Sequence, residues 1–286
     1  LTISNFQADY QTKITVSYDT DMQADFDDLR FYDATADAEL SYWIESKADG
    51  VSATVWIKTG ANNNIYMYYG NAAAASASNA KNVMLIYEDM QTAPGGTLKN
   101  DAAYDTTNKW VKLTAAANWQ SGALEYSLNP GDGFVAEFQF WAGGNTGGAD
   151  ATYLFAYDTT AGTYSEDAAA GGYHFNYDEY EDKLQLMWNG GSLANSSQSE
   201  IDNSTWHDAK VIHSGTDSKI YYDTAEKINF TDSTRTKTGA YFGWGARTGG
   251  ASNEHRIRNL IVRKYVSTEP SVSGGTEEAA PTSCDG

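Results

Sequence analysis

Between Tyr173 and Leu186 the chain reads YHFNYDEYEDKLQL, a dense run of oxygen-bearing side chains. If residues 173 to 182 form one strand, Asn176, Asp178, Tyr180 and Asp182 share a face, because side chains alternate at period two with same-face neighbours roughly 6.5 to 7 Å apart. Two carboxylates and a carboxamide then point one way. Adjacent acids repel, so the pattern implies either full solvation of an exposed strand end or a hard cation such as Ca2+, which takes oxygen ligands from Asp, Asn and carbonyls. The EF-hand spacing with its central Gly is absent. Glu179 and Glu181 stand at i, i+2, a separation that suits the wider carboxylate pair of an inverting glycoside hydrolase, although exposed strand glutamates share it. His174 and His255 read as strand residues with satisfied hydrogen bonds, and His207 and His213 lack a Ser or Cys nucleophile context. No catalytic residue is therefore expected.

The elements that must carry this stretch are strands. Twenty Tyr and eight Trp against four Pro point to an all-β chain, and 286 residues suffice for two domains with cores of their own. Short runs recur about every 10 residues in the first part: TKITVSY (12 to 18), LRFYD (29 to 33), ELSYWIE (39 to 45), SATVWIK (52 to 58) and NIYMYYG (64 to 70), the rhythm of a β-sandwich. In SATVWIK, Ala53, Val55 and Ile57 fall on the expected core face. Met22 and Phe26, within the acids Asp21, Asp25, Asp27 and Asp28, are spaced for a single helical turn.

The low-complexity stretch AAAASASNAK (72 to 81) reads as an interdomain connection, and VMLIYEDM (83 to 90) as a buried strand. More than eight further strands up to Val266 describe a jelly roll. In FVAEFQFW, Phe134, Ala136, Phe138 and Phe140 form its apolar face. The expected organisation is a sandwich over residues 1–82, a jelly roll over 83–266 and a flexible tail or linker over 267–286, rich in Ser, Thr, Gly and Glu.

A formal charge of -19 argues against nucleic acid as a partner, since phosphate binding needs Lys and Arg clusters. It argues equally against anionic membranes, and no apolar run reaches the roughly 18 residues of a membrane span. Cys284 is the single cysteine, so no internal disulfide forms. A chain that opens on Leu1 rather than Met is expected to have lost upstream residues. Sequons at Asn195, Asn203 and Asn229 favour an extracellular, cell-surface or virion-surface setting.

Four segments, DTDMQADFDDLRFYD (19 to 33), SYWIES (41 to 46), SATVWIK (52 to 58) and IYMYYGN (65 to 71), resemble the family DUF2341 over about residues 8 to 90. The resemblance implies a microbial secreted or surface protein, often with a lectin-like sandwich following, and no assigned catalytic residues. Three later stretches, in order, resemble the L-type lectin or concanavalin A-like sandwich: GGADATYLFAY (147 to 157), HFNYDEYED (174 to 182) and YFGWGARTGGASNEHRIRNL (241 to 260). That likeness implies that Asp150 accepts hydrogen bonds from sugar hydroxyls, that Asp178, the Tyr180 carbonyl and Asp182 ligate one Ca2+, and that the loop from Gly249 and Gly250 to Asn253 borders the sugar.

The departures from the family pattern are specific. Its first metal-site Glu is Asn176 here, its next Asp has no counterpart near Met187, and no His stands where a transition-metal ligand would, which argues against a manganese-type site. Ala151 replaces the usual Gly and narrows the pocket, and Asp182 replaces an Asn, turning a donor into a pure acceptor. Arg247, between glycines, reads as a loop anchor, while Trp141, Trp188 and Trp244 are candidate stacking platforms. Two functions follow: a non-catalytic secreted protein that binds glycans or neighbouring surface proteins without an organic cofactor, or a self-assembling subunit of a filament, surface coat or virion. A glycoside hydrolase ranks behind both.

Overall fold

Alternation along SATVWIK places Ala53, Val55 and Ile57 in a core without exposed surface. The computed structural model describes residues 1–144, 148–162, 164–167, 171–232, 235–275 and 277; Gly147 and Cys284 lie outside them. The chain divides into one unit of residues 1–84 with 268–286, and a second of residues 85–267.

The first unit contains β1 (Thr2–Ser4), β2 (Gln11–Ser17), β3 (Arg30–Asp33), β4 (Ala38–Leu40), β5 (Tyr42–Ala48), β6 (Ser52–Lys58), β7 (Ile65–Tyr68) and the short α1 (Ala80–Val83). Two three-stranded antiparallel sheets, β2-β6-β5 and β4-β3-β7, enclose Phe26, Leu29, Phe31, Tyr42, Val55 and Ile65. Met22 and Phe26 are buried as anchors, but consecutive turns replace the expected helical turn, with Phe26 at φ 61°.

Two buried acids hold this unit's loops. Asp28 accepts hydrogen bonds from the backbone of Gln23 (3.1 Å) and Gly70 (2.6 Å), closing two of the recurrent segments on each other. Asp33 accepts from the backbone N–H groups of Thr35, Ala36 and Ala61 and from the Asn62 amide. Those donors, Ala36 and Thr35 first, hold its carboxyl down at about 2.

The stretch 72 to 81 is not a free linker. Arg30 and Gln23 donate to the carbonyls of Ala75 and Ala74, Ile44 N–H donates to Ser78 Oγ, and Asn79 caps α1 through Lys81 N–H.

The second unit contains β8 (Ile86–Glu88), β9 (Thr97–Asn100), β10 (Ala103–Asp105), β11 (Trp110–Thr114), β12 (Ser121–Ser127), β13 (Gly133–Gly143), β14 (Ala151–Asp158) and β15 (Tyr173–Asp178). It continues with β16 (Lys183–Trp188), β17 (Gly191–Ser197), β18 (Trp206–Ser214), β19 (Asp217–Tyr222), β20 (Ala225–Thr231), β21 (Tyr241–Arg247) and β22 (Glu254–Lys264). The expected strand over 83 to 90 shrinks to β8, because Val83 closes α1.

One sheet runs β10-β11-β22-β13-β18-β19-β20, with β8 also on β22; the other runs β17-β16-β15-β14-β21-β12-β9. Their inner faces bury Phe134, Ala136, Phe138 and Phe140 against Leu154, Phe175, Tyr177, Leu186 and Trp244, the core of a two-sheet sandwich.

On the outer face of the first of these sheets, cations lie on indoles. The Arg256 guanidinium stands 3.9 Å from the Trp141 ring centroid and 4.6 Å from that of Trp110, and Arg258 stands 4.0 Å from that of Trp206.

The expected tail is corrected at β23 (Ser271–Ser273), which pairs antiparallel with β1. Its Val272 packs on the first unit's core, so the apolar side chain gains burial that a free linker would forgo.

Asp28→Ala should remove two hydrogen bonds to a buried carboxylate and lower the stability of the first unit by about 2 kcal/mol. Urea denaturation of the full chain, following the transition of that unit, measures this loss.

Candidate functional site

Strands β16, β15, β14 and β21 align Lys183, Asp178, Ala151 and Arg247 in one cross-strand row on the outer face of the seven-stranded sheet. The next row holds Gln185, Asn176, Tyr153 and Gly245. Tyr153 lies across Gly245, where any Cβ would meet its ring at 2.4 Å. The expected strand over 173 to 182 is corrected here: β15 stops at Asp178 and residues 179 to 182 form the turn into β16.

The turn forms because Glu179 points inward. Its Oε2 lies 2.9 Å from His255 Nε2, with both side chains fully buried, and its Oε1 accepts from Thr152 N–H and Oγ1. His255 Nδ1 meets Thr114 Oγ1 at 2.6 Å. Asp182 is consequently exposed at φ 50° and does not share a face with Asp178. Glu179 and Glu181 do not face each other across a cleft either, since Glu181 pairs with Lys183.

Asp150 is placed by this same turn. Its carbonyl accepts from the N–H groups of Glu179 and Tyr180, and its own N–H donates to the Arg247 carbonyl; the Ala149–Asp150 peptide bond is cis. Arg247 Nε reaches Asp150 Oδ2 at 3.2 Å, Nη2 reaches Glu166 Oε1 at 3.0 Å, and Nη1 donates to Ser165 Oγ, the anchoring role its glycine context predicts. A cavity of about 290 Å³ opens among Asp150, Glu166, Asp167, Asp178, Lys183 and Arg247, with Tyr180 and Glu181 at its wall.

Carboxylates outnumber cations in that cavity. Burial pushes Asp178 up to about 7, opposed by Lys183 and reinforced by Glu179 and Asp167. Burial also raises Glu166, with Arg247 acting against it. Asn176, fully buried, donates to the Glu166 carbonyl, while its Oδ1 has no hydrogen-bond partner among the described residues.

These oxygens suit a hard cation rather than a transition metal, because no imidazole is among the residues lining the cavity: His255 pairs with Glu179, and His174 Nε2 lies 3.2 Å from Asp158. Among the described residues, the one group of three or more acidic, His or Cys side chains with ligand atoms all within 4.8 Å of one another is Asp19, Asp21 and Glu277 of the first unit, outside this cavity. A cation in the cavity therefore needs carbonyl or amide oxygens in addition to carboxylates.

The glycine loop reaches the same place. A Cβ on Gly249 would lie 2.9 Å from Asp150 Oδ2, whereas Gly250 has open space around it. Asn253 is fully buried, its amide 3.4 Å from Asp202, so it braces the loop from within instead of facing the cavity. Sequence reasoning missed Trp119. It is 80% exposed, its backbone N–H donates to the Gly249 carbonyl, and the Asn118 side-chain amide donates to the Gly250 carbonyl. A lone Trp in the polar loop AAANWQSG was the available signal.

The other tryptophans are not free platforms. Trp244 is core, Trp141 lies under Arg256 and Trp188 under Arg235. The sequon asparagines Asn195, Asn203 and Asn229 are all exposed. Burial pushes His213 down to about 3.

The two-sheet antiparallel sandwich of the second unit is the fold of L-type lectin carbohydrate recognition domains. The VIP36 exoplasmic/lumenal domain in its Ca2+/Man3GlcNAc-bound form is similar at 18% identity, with a TM-score of 0.53, over 65% of this chain and 96% of that one. The Emp47p carbohydrate recognition domain is similar at 16% identity, with a TM-score of 0.51, over 63% and 94%. Towards the N-terminus, the family model described as Domain of unknown function (DUF2341) matches residues 25–120, beginning later and ending further on than the motifs indicated. No curated protein matches the sequence.

His255→Ala should leave Glu179 buried without its partner and cost the second unit about 3 kcal/mol. A fall in the guanidinium midpoint of that unit would show it; an unchanged midpoint would contradict the bracing role.

Proposed function

We propose that the second unit is a non-catalytic glycan-binding module, with the sugar seated at Asp150 and Gly249 and a single Ca2+ ordering the cavity. The observation that carries this reading is the convergence of Asp150, Asp178 and the Gly249 loop on one acidic cavity of a lectin-type sandwich. Asp178 and the Tyr180 carbonyl hold the cation, with the unpartnered Asn176 Oδ1 as a further oxygen. Asp182, exposed in the turn, serves the rim. Asp150 accepts sugar hydroxyls once Arg247 shares it, and Trp119 offers a stacking face. The burial of Glu179 against His255 favours binding over hydrolysis. Three exposed sequons support an extracellular setting.

The cation and the proton compete for Asp178. Its ordinary value is 3.8 and its folded value about 7, so between these the folded protein holds a proton that the unfolded chain has released. Without calcium, this group's contribution to stability therefore declines as pH rises from about 4 to about 7. Calcium needs the ionised carboxylate. Millimolar Ca2+ added after chelation should raise the melting temperature by several degrees at pH 8 and by clearly less at pH 5; thermal melts at both values, without any shift at pH 8, would refute the calcium site.

On a glycan array, wild type should bind in Ca2+ and lose binding on chelation. Asp150→Ala and Asp178→Ala should abolish the signal, and Trp119→Ala should weaken it about tenfold, the loss of one stacked ring. An array on which wild type binds nothing would remove the lectin reading, and spontaneous polymers in electron microscopy would then favour a structural subunit.

A further inference from the structure

The recurrent segment IYMYYGN places aromatic side chains where the first unit's core has no use for them. Along β7, Ile65 is buried while Tyr66 and Tyr68 are 54% and 53% exposed. Cross-strand pairing sets Tyr32 opposite Tyr66 and Arg30 opposite Tyr68, so all four share the outer face of the β4-β3-β7 sheet. The Tyr32 and Tyr68 rings meet edge to face at 5.4 Å, and Tyr66 and Tyr68 are 6.1 Å apart. Such pairs steady a sheet, but that role does not require rings left half in water.

A cavity of about 420 Å³ adjoins this cluster, bordered by Tyr32, Tyr68, Tyr69, Asp37 and Asn71 over a floor that includes Arg30. The floor is fixed. The Arg30 guanidinium donates to the carbonyls of Leu29, Asp27 and Ala75, and Asp28 is taken up by Gln23 and Gly70. The walls remain free to bind: Asp37 is exposed, and among the described residues the hydroxyls of Tyr32, Tyr66 and Tyr68 enter no hydrogen bond. A preformed cleft of this size, with aromatic faces and a few polar groups around its edge, has the makeup of a small-ligand site.

We propose that this face of the first unit is a binding site for a neutral saccharide chain, separate from the cavity of the second unit and independent of calcium. Tyrosine faces accept the C–H surfaces of pyranose rings, while Asp37 and Asn71 supply an acceptor and a donor for hydroxyl groups. Charge selects among ligands: a chain of net charge -19 repels nucleic acid, acidic glycans and a second copy of itself. The carboxylates here do not make a metal site, since Asp28 is saturated by backbone donors and Asp37 stands without a second free acid in the cavity lining.

The test uses the full chain carrying Asp150→Ala, in chelator, so that it reads independently of the second unit. Cellohexaose, xylohexaose, mannohexaose and chitohexaose are immobilised in separate columns, and retention is compared among variants whose folding is checked by thermal melts. At least one column should retain the Asp150→Ala protein, Tyr66→Ser with Tyr68→Ser should cut that retention at least tenfold, and Tyr68→Trp should keep it. Absence of retention on all four columns, or equal retention after the double serine change, overturns the proposal. Concentration-dependent self-association lost in the double serine variant, with no saccharide retained, also overturns it and assigns the face to contacts between copies.

Discussion

The buried contact between Glu179 and His255 is the constraint on which the second unit's site depends. A carboxylate withdrawn from water needs its partners, and this one finds His255 on β22 and the Thr152 backbone and hydroxyl on β14. By turning inward it ends β15, puts the N–H groups of Glu179 and Tyr180 on the Asp150 carbonyl, and fixes where Asp178 stops. The cavity is a by-product of a structural choice in the core. Nothing that faces the cavity has to be rigid by itself, because its supports lie underneath.

The fold was legible wherever apolar residues alternate. Ala53, Val55 and Ile57, or Phe134, Ala136, Phe138 and Phe140, can face only one way without exposing oily surface. The candidate site was half legible. Asp150, Asp178 and Gly249 could be placed from the order of their segments, but period-two reasoning carried the strand through Asp182. It had no means of knowing that a glutamate between two aspartates would prefer a histidine some 76 residues away. Trp119 escaped for a related reason, since its nearness to Gly249 rests on a long-range backbone bond, which leaves no mark on local pattern.

The two units meet the same need for loop order with different chemistry. In the first, Asp28 and Asp33 gather backbone N–H groups, so the charge of these two acids is spread over peptide dipoles. In the second, burial pushes the Asp178 carboxyl up to about 7, with Lys183 acting against it.

Arginines laid on tryptophans have a further meaning in so acidic a chain. Arg256 over Trp141 and Trp110, and Arg258 over Trp206, are attached through ring quadrupoles, a mode of attachment that persists when carboxylates take up protons or when dissolved salt screens them. The outer face of that sheet thereby carries a fastening that does not rest on carboxylates alone, in a chain with a single cysteine.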